Sequence, residues 1–414
     1  MGLSSINPAI FKIFDKHYLK MNSIWEKESW LNYDIAIIGA GIVGLSTAIS
    51  IKELDPKKSV VVLERGILPS GASTRNAGFA CFGSLSELLV DIEKIGEEGT
   101  LALVEKRWKG LEKLRTRLGD EAIGYQAAGG YELLRENELS VINSIPKVNE
   151  LLRPLFNQDV FHEDHTRIAE FGFDTSSIKG LIRNPLEGHI HTGKMMKALL
   201  MLAQQKGVVV HFGAEVIRWE RTSEQEFVLE IKDDITQSTP VLSAKKLICC
   251  TNAFTSRFFP DLAIEPGRGV VMLSQPLQHL PFKGTFHFDE GYFYFRDLGN
   301  RMLFGGGRNI FYRQEKTTKM EVRENVLDVL MHHLNTLISP KQTIALDFAW
   351  SGIMAFGPDK SPLVGQLQEN VFAGVRLGGM GVAIGSNIGE DLAKMVLGKI
   401  NAEQIPSKSK ECIN

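Results

Sequence analysis

Gly39-Ala40-Gly41-Ile42-Val43-Gly44 sets three glycines at GxGxxG spacing, directly after the apolar run YDIAII that begins at Tyr33. Glu64 closes the next apolar run, SVVVLE, 20 residues beyond Gly44. Glycine at 39 permits a tight strand-to-helix turn, at 41 it lets a pyrophosphate reach the backbone, and at 44 it lets helix and strand close on each other. The helix starting at Ile42 and Val43 then aims unpaired N–H groups and the positive end of its dipole at the phosphates. A carboxylate at 64 accepts from both ribose hydroxyls, and Arg65 beside it does not by itself require a 2′-phosphate. This combination predicts a dinucleotide seat.

A second chemistry-bearing stretch, Gly71-Ala72-Ser73-Thr74-Arg75-Asn76-Ala77-Gly78, follows Glu64 closely. It gathers small residues, two hydroxyls and an arginine without an apolar core pattern. A nicotinamide site has no need of it. A longer, bent cofactor carrying an isoalloxazine ring does, because backbone must press against phosphates and ring together. Near the C-terminus, Gly378-Gly379-Met380-Gly381-Val382 can turn N–H donors toward a ring carbonyl, and the helix that follows can stabilise negative charge on a reduced ring.

The elements that position these groups follow from periodicity. Continuous rather than alternating apolar residues at 33–38 and 59–64 suit parallel strands covered on both faces, with the helix GIVGLSTAISIKEL between them. Residues 85–120 predict one or two helices, YQAAGGYELL a hairpin or short strand pair, and 194–207 a helix stopped by Gly207 before the strand VVVHF. FVLEIKD and VLSAKKLIC, at 227–233 and 241–249, are strand candidates, and 321–338 reads as a helix. The aromatic, partly alternating segment 285–307 predicts antiparallel strands. His189 and His191 read as turn or cap residues. The interleaving implies an α/β, Rossmann-like nucleotide domain, FAD-binding if the 71–78 stretch serves an isoalloxazine cofactor, from 33–90, 185–265 and 345–414. An α+β substrate domain with a mixed, largely antiparallel sheet takes 91–184 and 266–344, and residues 1–32, with Phe11, Phe14, Trp25 and Trp30, form a lead-in.

Composition removes whole classes of function. At 414 residues the chain has ample core for two or three domains, and 47 Lys plus Arg against 49 Asp plus Glu leave a net charge of −2, which argues against nucleic-acid partners. Cys81, Cys249, Cys250 and Cys412 form neither a disulfide framework nor CxxC metal pairs, so no metal is expected. No apolar run reaches transmembrane length, and the N-terminus lacks the basic start and apolar segment of a signal peptide, which predicts a cytoplasmic protein. There is no GxSxG elbow and no carboxylate pair for glycoside chemistry.

The motifs IGAGIVGLSTA, VVVLERG, GASTRNAG, TNAFTS at 251–256, WSGIMAFGPDKSPLVG and GGMGVAIGSNIGEDLA, in this order, resemble the FAD-dependent D-amino acid oxidase-like superfamily, with its glycine and sarcosine oxidases and amine-oxidising relatives. The resemblance spans roughly 33 to 400. It implies that Ser73 to Gly78 line the pyrophosphate and flavin, and that the backbone of Val216 meets the adenine. Thr251 and Asn252 then join the cofactor site, and 378–382 closes over the flavin's pyrimidine edge. Relatives often carry histidine or tyrosine where Met380 stands. Glycine and D-amino acid oxidases clamp the substrate carboxylate with an arginine in Gly-x-Arg-Pro; here the stretch is Trp350-Ser351-Gly352-Ile353-Met354, and Met354 cannot make that ion pair. No cysteine stands near WSGIMAFGPDK, where sarcosine oxidase-like relatives attach their flavin, so the FAD is expected to be noncovalent. Cys81 reads as an inert buried thiol.

Alternation places Tyr292, Tyr294 and Arg296 on one strand face, a candidate pocket wall, with Phe293 and Phe295 toward the core. Arg308, Arg376 and Arg296 are the candidates for a replacement carboxylate clamp, an amine without a carboxylate next to its nitrogen being the other solution, and Trp350 and Met380 complete the pocket candidates. The expected reaction is oxidation of a C–N bond in an amine or amino acid, by hydride transfer to flavin N5, with O2 or another redox acceptor taking the electrons. The alternatives are oxidation of a 2-hydroxy acid or alcohol, which needs a base near N5, and a noncatalytic flavoprotein held by partners.

Overall fold

The computed structural model describes residues 23–222, 225–232 and 241–405. Phe11, Phe14, Cys412 and Asp233, the last residue of the predicted 227–233 strand, lie outside them.

Two eight-stranded sheets carry the molecule. The first is ordered Leu363–Gln368, Val371–Val375, Val241–Cys249, Asn32–Ile38, Val60–Glu64, Val209–Phe212, with Phe227–Lys232 and Glu215–Arg221 branching from the Val241–Cys249 strand. Its central strands are parallel, and every residue of Val60–Glu64 is buried, as a strand covered on both faces requires. The helix Ile42–Leu54 lies on one face with residues 42–51 all buried, flanked by Thr192–Gln205 and Gly381–Val396.

The second sheet runs Leu346–Phe356, Glu265–Ser274, Arg301–Gly306, Phe293–Leu298, Thr285–Phe288, Gly130–Leu134, Gly180–Asn184, His162–Glu163. It is antiparallel except between Thr285–Phe288 and Gly130–Leu134. The predicted alternation holds: Phe293 and Phe295 are fully buried in an aromatic core where Phe286 stacks on Phe295 at 4.7 Å. YQAAGGYELL is not a hairpin, because Gly130–Leu134 takes its partners from 180–184 and 285–288 instead.

Two segments cross the boundaries expected from sequence. The strand Leu346–Phe356 is hydrogen-bonded along its length to Glu265–Ser274 and so joins the second sheet. The helix Leu85–Leu118 starts beside the second sheet and then packs against Gly381–Val396, to which Lys113 is tied by an ion pair with Glu390. A break at Gly96, whose φ of 75° is not helical, redirects it between the two. Among the described residues no helix is long and apolar enough to cross a membrane.

Candidate functional site

Gly39 turns with φ of 105°, and a Cβ on Gly44 would sit 2.0 Å from the Gly39 carbonyl oxygen, so only glycine lets the helix rest on the strand end there. Gly41, at the N-cap of the helix Ile42–Leu54, has no side chain to cap it. Glu64 is fixed by two backbone N–H donors, Ala40 to Oε2 and Gly66 to Oε1, both at 3.0 Å. Ser73 Oγ accepts from the Ile42 N–H at 3.0 Å and so joins the second stretch to the first turn of the helix. Arg65 stacks on the Phe254 ring at 3.9 Å. Val216 is buried at the start of its strand, and the Ala214 N–H holds the Glu64 carbonyl at 2.8 Å.

At the other end, Asn76 folds the 71–78 stretch by accepting the Gly78 N–H at 2.8 Å. Arg75 donates to the Ser70 and Ser351 carbonyls, and Trp350 Nε1 donates to the Arg75 carbonyl at 3.0 Å. Thr74 turns its hydroxyl to the Pro69 carbonyl. In the 378–382 loop the Gly378 and Met380 N–H groups are already engaged by Ala355 and Leu377, which takes two of the expected donors out of play.

These parts face one cavity of about 1190 Å³. Every cofactor residue expected from sequence lines it except Gly44 and Thr74. Ordinary small-molecule pockets run to roughly 1,000 Å³, so there is room for an extended dinucleotide and a substrate beside it. A helix start with glycine at its N-cap, a pinned carboxylate at the next strand end, and a second glycine-rich loop at the far wall fit FAD.

The substrate candidates divide. Tyr292, Tyr294, Arg308 and Met380 line the cavity, as does Met354; Arg296, Arg376 and Trp350 do not. Arg296 is buried, with Nε on the Ala77 carbonyl at 2.6 Å and its terminal nitrogens on Ile190, Asp297 and His189. Burial lowers its pKa to about 10, which still leaves it charged at neutral pH. Arg376 has a φ of 65° and spends its guanidinium on Ser361, Ala263 and Asp359, while Asn252 Oδ1 accepts its N–H at 3.1 Å. Both arginines therefore brace the cavity from behind. Arg308 lies 3.9 Å over the Phe356 ring and has no ion pair among the described residues. Tyr294 has its pKa pushed up to about 12 by burial, so its hydroxyl stays protonated. Burial likewise holds the Cys81 thiol neutral.

Among the wall residues that escaped the sequence reading are Phe79, Glu87 and His287. Glu87 carried a signal, since Ser84-Leu85-Ser86-Glu87 is a capping box, and both of its bonds are present. His287 alternates with Phe286 and Phe288, which puts it on the opposite face from the core. His191 caps the Thr192–Gln205 helix, accepting the Lys194 N–H.

Comparison with known proteins agrees with this geometry. The chain is 23% identical over 379 residues to the probable oxidoreductase OrdL of Haemophilus influenzae, covering 88% of this chain and 83% of that protein. Its fold matches L-proline dehydrogenase from P. horikoshii with a TM-score of 0.71 at 17% identity, over 91% of this chain and 96% of that one. Glycine oxidase from Geobacillus kaustophilus gives a TM-score of 0.71 at 20% identity, over 91% and 99%. The family model described as FAD dependent oxidoreductase (DAO) matches residues 34–395, most of the chain, and the protein belongs to that family.

Proposed function

We propose that the protein oxidises a C–N bond of an amine or amino acid with noncovalently bound FAD. The observation that carries this reading is Arg308, a guanidinium without an ion pair, in the wall of the same cavity that the glycine turn and Glu64 open into. Bound flavin would supply the two-electron acceptor, taking hydride at N5, with O2 or a redox carrier restoring it. Arg308, in the turn after the strand Arg301–Gly306 and so apart from the strand carrying Met354, binds a substrate carboxylate, the anion a guanidinium pairs with best. Tyr294, Phe79 and Met354 add an apolar stretch to that wall, which favours an uncharged amine over an ammonium at the reacting end. Tyr294 serves as a hydrogen-bond donor, not a base, because its hydroxyl keeps its proton. Positioning supplies the rate, and an imine product hydrolyses in water without help from the chain.

The test is anaerobic flavin bleaching with amines, N-methyl amino acids, D- and L-amino acids and 2-hydroxy acids. Bleaching by an amine or amino acid is expected; none by any of them overturns the reading. With a carboxylate substrate in hand, Arg308→Met should raise KM tenfold or more and change kcat less, the pattern of lost ground-state binding.

A further inference from the structure

His287 and Glu87 line the same cavity as Arg308, with His287 two strands away across the second sheet. His287 is only 7% exposed, and its Nε2 has no hydrogen-bond partner among the described residues. Leaving a buried imidazole nitrogen unpaired is costly, so a group that satisfies it is expected when the site is filled. Its ring stands edge-on to Phe79 at 5.0 Å, Phe79 meets Tyr294 at 5.7 Å, and His287 and Tyr294 are cross-strand partners. Tyr294 in turn feels the charge of Arg308. The wall is thus continuous from Arg308 through Tyr294 and Phe79 to His287.

Glu87 lines the same cavity as His287, and its charge acts on the imidazole. One of its oxygens, Oε2, accepts the Ser84 N–H at 3.0 Å, and the carboxylate has no ion pair among the described residues. Neighbouring Asp91, by contrast, is neutralised by Lys360 at 2.7 Å. The Glu87 carboxyl packs against Gly291, where a Cβ would lie 3.1 Å from its Cδ. From the His287 strand to the strand leading into Arg308 is two strand spacings, roughly 10 Å.

We propose that this chamber holds its substrate at two ends, a carboxylate on Arg308 and a distal cationic N–H donor on His287 and Glu87, so that the preferred substrates are long diamino acids rather than glycine-sized amines. The inference rests on the C–N oxidation proposed above. Acceptors paired with an opposing cation across an apolar wall reject a chain that ends in methyl, because it leaves both acceptors unsatisfied.

The experiment compares lysine with 2-aminoheptanoate, which has a methyl in place of the terminal ammonium, in both enantiomers on the FAD-loaded protein. Dissociation constants from flavin absorbance changes and kcat/KM from anaerobic bleaching are measured for each. At least a tenfold preference for lysine is expected in both. Glu87→Gln, which keeps an oxygen for the Ser84 N–H, and His287→Phe should each bring the ratio close to one. A wild-type ratio near one overturns the two-ended site while leaving amine oxidation standing, as does a preference that survives both substitutions. Absence of bleaching by every amine overturns both. The wild-type ratio decides by itself if either variant fails to fold.

Discussion

At the scale of single residues, the site separates groups that face the cavity from groups that hold those groups. Glu64 does both: two backbone N–H donors fix its carboxylate, which leaves the remaining lone pairs for a ribose. Glu64→Gln keeps the shape and removes the charge, which costs about 1.5–3 kcal/mol for a charge-assisted pair. The Kd for FAD, followed by flavin fluorescence, should therefore rise about 10- to 100-fold; an unchanged Kd would remove Glu64 from the ribose site. That the glycine turn, Glu64 and the 71–78 stretch line one cavity was legible in the sequence because each is demanded by local backbone geometry or by a strand end. The arginines were not. Arg296 alternates correctly with Tyr294, yet its guanidinium is consumed by Ala77, Ile190 and Asp297 carbonyls from three separate segments. No spacing rule predicts which of several arginines finds such partners first. His287 was hidden for the complementary reason, since a lone histidine among phenylalanines announces a face but not what lies opposite.

At the scale of elements, the strand–turn–helix unit is legible because its contacts are local, and the crossing of the Leu346–Phe356 strand is not because its partner lies some 80 residues away in sequence. Its apolar pattern suits either sheet; the pairing with Glu265–Ser274 decides. The kink at Gly96 similarly hides within a helical pattern, yet it lets one helix serve the second sheet at its start and the nucleotide-binding helices beyond. Gly44 is the strictest local requirement. Alanine there would force its Cβ to 2.0 Å from a carbonyl oxygen that belongs to the backbone and cannot rotate away. Overpacking of this kind costs about 1–3 kcal/mol, so Gly44→Ala should lower the Tm by several degrees. The FAD Kd should rise in parallel, because the same shift tilts the helix start. Calorimetry with and without FAD checks both, and an alanine variant as stable and as tight as the parent would contradict the close helix–strand contact.

At the scale of the whole molecule, the seam where the second sheet meets the start of the Leu85–Leu118 helix is held by acids whose pKa burial raises. Glu132, on the Gly130–Leu134 strand, accepts from Ser84 Oγ and the Ser86 N–H at the start of the Leu85–Leu118 helix. Glu187 accepts from the Phe82 N–H at 3.0 Å, in the segment leading into that helix. Burial raises Glu132 to about 7 and Glu187 to about 8, against an ordinary value of 4.5, and the nearby charge of Glu87 adds to both. A carboxyl raised on folding binds its proton more tightly in the native state than in the unfolded chain. Its contribution is fully present below pH 4.5, declines as pH rises, and is gone above the folded value. The Tm of the protein, at a fixed saturating FAD concentration, should therefore fall between pH 5 and pH 8. Glu187→Gln, which keeps an oxygen for the Phe82 N–H but carries no proton to lose, should flatten that fall. Parallel profiles for the two proteins would mean that Glu187 does not couple the seam to pH. A shallower profile in the variant would locate part of the molecule's alkaline sensitivity in the joint that carries the helix from the substrate wall to the dinucleotide seat.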